Sequence, residues 1–260
     1  MGITHNDRTI FLRLRNAGLI PPRPSMLELG EGQWFGDVPV ATLSEDIDAL
    51  VEDDVLREEL HQRMVTILCG EPAYQSWDLA KLFFRVCLNY RKYVAIDFHG
   101  TPEALKIDLN YPVDLGEQFD ILVNAGTAEH IFDVGQFFRT AHALTQPGGL
   151  MIHVMPFRGW LEHGFYSFNS TFYRDLAAAN GYTMLIHAYA ELRPPRLIDL
   201  ARREQIMDLD ASGQMGKNST LYAVMKKAAA ASEFRAPVQH VYAQSGGIAV
   251  QAATIEAAHR

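Results

Sequence analysis

Residues 119–131 read FDILVNAGTAEHI. The run FDILV is short and mostly apolar, which is typical of a buried strand in a parallel sheet. Asn124 and Gly126 follow it and supply the residue types that a tight turn needs. Glu129 and His130 come next, before an amphipathic segment begins, and turn geometry gives no reason for this pair. The stretch therefore predicts a strand, a turn and two ionisable side chains at the carboxyl end of the strand.

The same alternation of strand and helix extends in both directions from this stretch. We predict further strands at 26–29, 93–96, 105–107, 150–155, 183–187 and 219–225. We predict helices at 44–68 with Ser44 as N-cap, from Ser76 to about Lys92, at 132–144, and from Asn169 or Ser170 to Asn180. Strands that alternate with helices indicate one α/β domain, in which helices cover both faces of a mostly parallel sheet.

Ligands of such sheets bind outside the carboxyl ends of the strands, where the strand order reverses. The turn after the first strand reads ELGEGQWFG, and Phe35 stands where a dinucleotide fingerprint needs its third glycine, so a pyrophosphate ligand is not expected. A ligand with a ribose and an adenine but no phosphate needs a glycine turn, a carboxylate for the ribose hydroxyls and a polar group for the adenine. Gly30 with Gly32, Asp97 and Asp108 follow the first three strands in that order.

The segments MLELGEG, YVAIDFHG, KIDLN, FDILVNAGTAEHI and LTQPGGLMIHVMP together resemble the successive motifs of class I S-adenosylmethionine-dependent methyltransferases, over roughly residues 24–227. Residues 163–182 resemble a segment of methyltransferase-like proteins from bacterial biosynthetic clusters. The resemblance implies a Rossmann-like, seven-stranded sheet whose last strand is antiparallel. It implies methyl transfer from S-adenosylmethionine to an oxygen or nitrogen atom of a small metabolite or sugar, with S-adenosylhomocysteine as product. The residues it implies for cofactor binding are Glu28, Gly30, Gly32, Asp97, Asp108, Asn124 and Gly126.

Two features depart from the family pattern. Trp34 stands where the family usually has a third glycine, and it could stack near the cofactor or fill the space that the glycine leaves. The first two strands are also far apart, so we predict a helical insertion at about 37–92, where a substrate lid could lie. We assign residues 1–227 to the methyltransferase-like domain and 228–260 to a C-terminal extension that is either mobile or packed as a strap.

The pair Glu129 and His130 gains a role in this context. A sulfonium donor carries an activated methyl group, so the protein has to align the acceptor and often to remove its proton. Histidine suits that task near neutral pH. We predict His130 as the base and Glu129 as the residue that orients it, with His163 as a second candidate at the same rim. The alternative is structural: Glu129 caps the next helix, His130 lies on the surface and His163 is an ordinary loop residue.

Metal and cysteine chemistry are not expected from the sequence. None of the histidines near the strand ends has the His-x-x-x-His spacing of a helical metal pair, so no residue is assigned as a metal ligand. His153 lies in the middle of a strand, where a hydrogen-bonded core residue is the simpler interpretation. Cys69 and Cys87 lack metal-ligand spacing, and we expect both to be reduced and mostly buried, as in a cytoplasmic protein.

Composition limits the partners. The net charge is −8, from 31 acidic residues against 23 lysines and arginines, and no dense basic cluster is present. This disfavours nucleic acids and anionic membranes as partners and leaves a small-molecule substrate. No apolar run reaches the length of a membrane span, and the first twenty residues do not read as a signal peptide. A homodimer is left open.

Two rival functions fit the same pattern. The first is a non-catalytic protein of this fold that serves as a partner subunit or ligand sensor. The second is an enzyme that uses the fold for a different, metal-assisted reaction through the histidines at the rim.

Overall fold

The computed structural model describes residues 2–244. The strands are β1 (Ser25–Leu29), β2 (Lys92–Ile96), β3 (Phe119–Ala125), β4 (Thr145–Arg158), β5 (Thr183–Leu192), β6 (Pro195–Asp199) and β7 (Ser219–Lys226). The helices are α1 (His5–Asn16), α2 (Val40–Leu50), α3 (Asp54–Cys69), α4 (Gln75–Leu88), α5 (Val134–Leu144), α6 (Ser170–Asn180), α7 (Gln205–Ala211) and α8 (His240–Gln244). A 3₁₀ turn spans Ala128–His130 between β3 and α5.

All seven strands form one sheet in the order β2-β1-β3-β4-β7-β5-β6. Strands β1 to β4 are parallel, β7 runs antiparallel to both β4 and β5, and β6 forms an antiparallel hairpin with β5. The predicted Rossmann-like, mostly parallel sheet with an antiparallel last strand is confirmed. The chain builds β1 and β2 on one side and then returns to place β3 on the other side of β1. The strand order therefore reverses between β1 and β3, which is where a ligand of such a sheet binds.

Helices cover both faces of the sheet, as predicted. Helices α1 to α4 bury one face through residues such as Ile10, Leu43 and Phe83. Helices α5 to α7 bury the other through residues such as Phe137 and Tyr173. Within residues 2–244, no helix has both the length and the apolar character that a membrane crossing requires.

The seventh strand is not the one that the sequence predicted. Residues 105–107 form only an isolated bridge, in which Leu105 pairs with Ile96 at the outer edge of β2. The segment then turns at once, because the amide of Ile107 donates to the carbonyl of Leu105. The sheet has its seventh strand at the opposite edge instead, where β6 lies between the predicted strands 183–187 and 219–225.

The predicted helix 44–68 is two helices. Helix α2 begins at Val40, directly after Pro39, so Ser44 lies inside it and is not its N-cap. The chain becomes extended at Val51, and the Asp53 side chain then accepts a hydrogen bond from the amide of Leu56 and starts α3. An Asp at this position favours a new helix over continuation of the old one.

One further helix end and one strand start differ from the prediction. Helix α4 stops at Asn89, whose φ of +45° is left-handed, so Arg91 and Lys92 do not belong to its last turn. Residues 146–149, predicted to follow the helix ending near Leu144, lie within the range of β4. The pairing of β3 with β4 shifts there, from Phe119 opposite Thr145 to Ile121 opposite Leu150, so an irregularity in the ladder absorbs these residues.

The region 37–92 contains three helices rather than about two. Helix α4 buries Phe83 and Phe84 in the core cluster of this face and leads directly into β2, so it is the crossover helix between β1 and β2. Helices α2 and α3 are therefore the added elements. Arg15 of α1 ties this layer together, because its guanidinium donates to the carbonyls of Leu50 and Cys87 near the ends of α2 and α4.

The described part of the C-terminal extension packs on the domain. Asn180 exchanges two hydrogen bonds with the main chain of Arg235, at 2.9 and 2.7 Å. Nε2 of His142 lies 2.7 Å from the carbonyl oxygen of Ser232. Residues 228–244 thus lie across α5 and α6, and residues 245–260 fall outside the described residues. The domain boundary at 227 stays a prediction.

The two cysteines are free thiols, as expected, but only Cys87 is buried. Cys69 is exposed, because it is the last residue of α3 and lies outside the face that this helix packs inward.

Candidate active site

The turns after β1 and β3 meet where the strand order reverses. Gly30 has φ +89°, and a Cβ added to it would lie 1.8 Å from Oγ1 of Thr127. Only glycine fits such a conformation and such an approach. A Cβ on Gly32 would lie 2.7 Å from Oε1 of Glu28. Gly126 has φ +77°, and its amide donates to the carbonyl of Val154 at 2.9 Å. The predicted glycines therefore bring the two turns into contact.

Glu28 lies beneath the glycine turn. Its Oε1 accepts from the amide of Gly32 at 3.3 Å, and its Oε2 accepts from the hydroxyl of Tyr93. Burial raises the pKa of this carboxyl to about 7. Both oxygens are engaged inside the protein, so Glu28 shapes the turn from below.

Asp97 stands beside the same turn, one residue after β2. Its two oxygens accept from the amides of Glu31 at 2.9 Å and His99 at 2.6 Å. An ionised carboxylate offers about four acceptor positions, so each oxygen keeps capacity for a further donor. Asp97 is only half-buried, which leaves that capacity accessible.

Asp108 belongs to the same end of the sheet. The chain reaches it along β2, where the amide of Asp97 donates to the carbonyl of Leu105 at 3.0 Å. Oδ1 of Asp108 accepts from the main chain and side chain of Asn110, at 2.9 and 2.8 Å. Asn110 in turn accepts from the amide of Asp133 at the start of α5. The carboxylate is thereby fixed, with Oδ2 left out of these bonds.

Asn124 holds the second turn from inside. Its Nδ2 lies 3.1 Å from Nδ1 of His153 and 3.1 Å from Sδ of Met155, and its Oδ1 accepts from the amides of Thr127 and Ala128. The side chain has no exposed surface. Its place is structural support for the turn rather than a contact surface. His153 is a buried core residue, as the sequence predicted.

Glu31 is an anchoring residue that the sequence reading missed. Its buried carboxylate accepts from Oγ1 of Thr101 at 2.8 Å and pairs with Nζ of Lys81 at 2.8 Å. These bonds tie the glycine turn to the loop after β2 and to α4. The available signal was an acidic residue between two turn glycines, which has no role in the turn itself.

Trp34 fills the core. Its indole Nε1 donates to the carbonyl of Val38 at 3.0 Å, and its ring lies 6.0 Å from that of Phe83. Its amide donates to the carbonyl of Ser76, and it forms a bridge with Ile3 near the N-terminus. Of the two alternatives for Trp34, the structure favours the one in which the side chain occupies space left by a glycine.

Glu129, His130 and His163 come together at the rim. Oε1 of Glu129 lies 3.8 Å from Nε2 of His130 and 3.5 Å from Nε2 of His163. The side chain of Glu129 is fully buried, and within residues 2–244 neither of its oxygens has a hydrogen-bond partner. The two histidines are partly exposed. The sequence named all three residues, and the structure places them in one cluster.

The loop after β4 presses onto Glu129. The amide of Phe165 donates to the carbonyl of Glu129 at 2.7 Å. A Cβ on Gly164 would lie 2.9 Å from that carbonyl oxygen and 3.1 Å from Nδ1 of His130. The ring of Trp160 lies 5.0 Å from that of His163. Gly164 was missed in the sequence, although a glycine directly after a candidate histidine was a usable signal.

Burial sets the protonation of the cluster. Burial raises the pKa of the Glu129 carboxyl to about 7. Burial lowers the pKa of His163, and burial followed by the proximity of His163 lowers the pKa of His130. The environment thus favours the neutral form of each group, because desolvation is the largest influence on all three pKa values.

An exposed aromatic rim adjoins the cluster. The rings of Phe132 and Phe165 meet edge to face at 6.0 Å, and the hydroxyl of Tyr166 donates to the carbonyl of Phe132. Phe168 of the same loop is buried against the core and anchors the loop. The remaining aromatics form an apolar surface beside ionisable groups, which is typical of small-molecule sites.

The chain matches no family model. Over 58 residues it is 41% identical to a ubiquinone biosynthesis O-methyltransferase of Ruegeria pomeroyi, covering 22% of this chain and 21% of that protein. Over 70 residues it is 42% identical to the enzyme of the same description from Rhodopseudomonas palustris, covering 25% of this chain and 28% of that protein. The curated relatives are methyltransferases, as the sequence motifs predicted. The chain matches less than a third of the length of each.

Solved structures are similar over more of the chain but only loosely. The N-methyltransferase NodS from Bradyrhizobium japonicum covers 86% of this chain and 95% of its own, at 14% identity and a TM-score of 0.39. The [4+2]-cyclase SpnF covers 88% of this chain and 84% of its own, at 11% identity and a TM-score of 0.42. Structural similarity at this level does not indicate a function.

Proposed function

We propose that this chain is an S-adenosylmethionine-dependent methyltransferase that acts on an oxygen or nitrogen atom of a small metabolite or sugar. The observation that carries the proposal is the contact between Gly30 and Thr127 where the strand order reverses, with the carboxylate of Asp97 held beside it. The names of the curated relatives support it, since they are O-methyltransferases. The bound cofactor would supply an activated methyl group.

The residues present fit such a cofactor. Gly30 and Gly32 allow the turn after β1 to pack directly on Thr127 and Glu28, where a Cβ at either position would clash, and so they shape the site beside Asp97. Asp97 retains acceptor capacity, which two ribose hydroxyls would use, and an adenine amino group would donate to Oδ2 of Asp108. Trp34 is directed into the core, so its side chain is not part of the proposed cofactor contact.

Three predicted cofactor residues act indirectly in this proposal. Glu28 supports the glycine turn through Gly32, and Asn124 with Gly126 supports the turn after β3. Their substitution would disturb the shape of the site rather than remove a contact with the ligand.

Acceptor activation falls to the cluster at the rim. His130 is the most open of its three members and is our candidate for the base, while Glu129 and His163 orient it. The aromatic rim formed by Phe132 and Phe165 is the proposed wall of the acceptor pocket. A small-molecule substrate, a cytoplasmic location and the absence of nucleic-acid and membrane partners remain predictions from composition, and a homodimer stays open.

Calorimetric titration of S-adenosylhomocysteine tests the cofactor assignment. We expect micromolar binding to the wild type and at least about tenfold weaker binding to Asp97→Ala, because the hydroxyl bonds to a charged acceptor are lost. Asp199→Ala is the matched control, since Asp199 lies on β6 at the far edge of the sheet and pairs with Arg13 on the surface.

The two outcomes separate the proposals. Absence of binding to folded wild-type protein would overturn the assignment. Binding without turnover on a panel of hydroxyl and amine acceptors would favour the rival function of a non-catalytic ligand sensor.

A further inference from the structure

Glu129 poses a physical problem that methyl transfer alone does not resolve. Its carboxylate is fully buried, yet within the described residues no donor reaches either oxygen. Nε2 of His163 is buried without a partner as well. Unpartnered buried polar groups are costly and rare in native proteins, so a cluster of them indicates a missing occupant.

The distances point to the kind of occupant. Oε1 of Glu129 lies 3.5 and 3.8 Å from the two Nε2 atoms, which is beyond the range of a good hydrogen bond. Ligand atoms bound to one tetrahedral ion at about 2.0–2.2 Å lie about 3.3 Å apart. One ligand atom from each of Glu129, His130 and His163 lies within 4.8 Å of the others. A small inward adjustment would bring all three to a common ion.

We propose that Glu129, His130 and His163 bind one first-row divalent cation, with zinc as the reference ion. Two imidazoles and one carboxylate are a ligand set of catalytic zinc sites, which keep a fourth position open. Imidazole ligands favour zinc and its neighbours, whereas magnesium and calcium prefer oxygen ligands. The sequence left a metal-assisted reaction through the rim histidines as a rival function but assigned no ligand, because His163 lies 33 positions after His130 and comes from a different loop.

The ligands are held before any ion arrives. The main chain of Glu129 accepts from Phe165, and Gly164 packs against His130 at a distance that only a glycine allows. Trp160 packs on His163 and is itself fixed, since its Nε1 donates to the carbonyl of Ser219 at 2.8 Å. Such outer contacts orient metal ligands and strengthen binding.

What the ion would do rests on the proposed function, but its binding does not. With an ion bound, His130 is a ligand and no longer a free base. An acceptor hydroxyl at the open position would then lose its proton to solvent more readily, because the ion stabilises the resulting oxygen anion. That oxygen would attack the methyl carbon while the carbon–sulfur bond breaks and its electron pair returns to sulfur. The ion would thereby promote deprotonation of the acceptor in the proposed methyl transfer.

Zinc titration of chelator-treated, full-length protein tests the site. We expect one zinc ion per chain with submicromolar affinity, measured against a chromogenic chelator. Glu129→Gln and His163→Gln should each weaken binding by at least about 100-fold, since loss of an outer-shell partner alone costs about 10- to 100-fold. Millimolar magnesium should not compete.

His61→Gln is the matched control. His61 also pairs with a carboxylate, Asp48 at 2.8 Å, but on the surface of the added helices and, among residues 2–244, without a third ligand. The His61→Gln variant should bind zinc as the wild type does. Circular dichroism and thermal unfolding establish that each variant is folded, and zinc should raise the melting temperature of the wild type and His61→Gln only.

The failures are distinguishable. Weak zinc binding by folded wild type, or binding that survives Glu129→Gln and His163→Gln, would overturn the metal site while leaving S-adenosylhomocysteine binding intact. Asp97→Ala should lose S-adenosylhomocysteine and keep zinc. Zinc binding without S-adenosylhomocysteine binding would instead sustain the metal site and overturn the methyltransferase proposal.

Discussion

The glycine turn depends on Gly30. Its replacement by alanine destabilises the fold in two ways, through a steric clash and through backbone strain. Gly30→Ala forces a Cβ into Thr127 and also places alanine at φ +89°. Gly213→Ala introduces only the backbone strain, because Gly213 has φ +66° with no atom within 4 Å of an added Cβ. We expect a loss of about 1 kcal/mol in unfolding free energy for Gly213→Ala and at least about 2 kcal/mol more for Gly30→Ala.

Chemical denaturation measures both losses, and S-adenosylhomocysteine binding should fall only in Gly30→Ala. The double variant Gly30→Ala, Thr127→Gly removes the clashing side chain and should recover most of the extra loss. Equal destabilisation by the two alanines would show that the contact between the turns has no energetic weight.

His153 makes stability depend on pH in a defined direction. Burial lowers its pKa to about 3, whereas an unfolded histidine titrates near about 6.5. Between these values the unfolded chain binds a proton that the folded chain does not, so stability falls as pH decreases from 6.5 towards 3. Replacement by glutamine removes this proton and should flatten the dependence by up to about 1.4 kcal/mol per pH unit.

Other buried groups add to the wild-type curve. His187, with a pKa lowered to about 4, contributes with the same sign, and Asp7, with a pKa raised to about 6, contributes with the opposite sign. The difference between wild type and His153→Gln isolates the single residue. Urea unfolding from pH 4 to 7 measures it, with the surface variant His61→Gln expected to follow the wild type. A parallel curve for His153→Gln would contradict the assignment.

Individual site residues were predictable where they lie in the segment that follows a predicted strand. Asp97 and Asp108 directly follow short apolar runs, and Glu129 with His130 follows the turn after FDILV, so position relative to a predicted strand selects them. The contacts of Glu31 and Gly164 were not predictable, because their partners are far along the chain and meet them only through the fold.

Helix ends are the elements whose boundaries the sequence predicted least well, and α4 offers a direct test. Asn89 ends it in a left-handed conformation with φ +45°. Glycine adopts that conformation without strain, and alanine does not. We expect Asn89→Gly to keep or raise the unfolding free energy and Asn89→Ala to lower it by about 1 kcal/mol.

Thermal and urea unfolding of the two variants provide the measurement, and each serves as the control for the other because both remove the same side chain. Greater stability of the alanine variant would contradict a left-handed end and would favour a helix that continues towards Arg91, as the sequence suggested.

Strands and helices were predictable where periodic apolar runs end in turn residues. Helix α6 begins after Asn169 and ends at Gly181, as predicted, because both signals are local. Strand β6 and helix α7 were not, since only one residue of α7 is buried and β6 is half-exposed at an edge. Helices and strands with few buried residues show little hydrophobic periodicity in the sequence. Helix α1 was missed although Thr4 and Asp7 form a capping box at its start.

The architecture of the whole molecule was predictable from the alternation of strands and helices. The helical insertion and the C-terminal segment that pack on it were not. Seven strand-like runs separated by helical runs are enough to predict a doubly covered sheet. The number of helices in the insertion and the course of the C-terminal segment depend on packing between distant parts of the chain. Asn180 and Arg235, for example, meet across 55 positions.

The C-terminal segment is therefore best tested through that contact. The amide of Arg235 donates to Oδ1 of Asn180 at 2.7 Å, and Nδ2 of Asn180 donates back at 2.9 Å. Asn180→Ala removes both bonds, so hydrogen exchange at residues 232–240 should accelerate by about fivefold or more, as loss of about 1 kcal/mol implies. Asn169→Ala is the control in the same helix, because its side chain makes no capping bond. Exchange unchanged in Asn180→Ala would mean that the other contacts of the segment, those of His142 with Ser232 and Phe234 and that of Asp175 with His240, are sufficient to hold it in place.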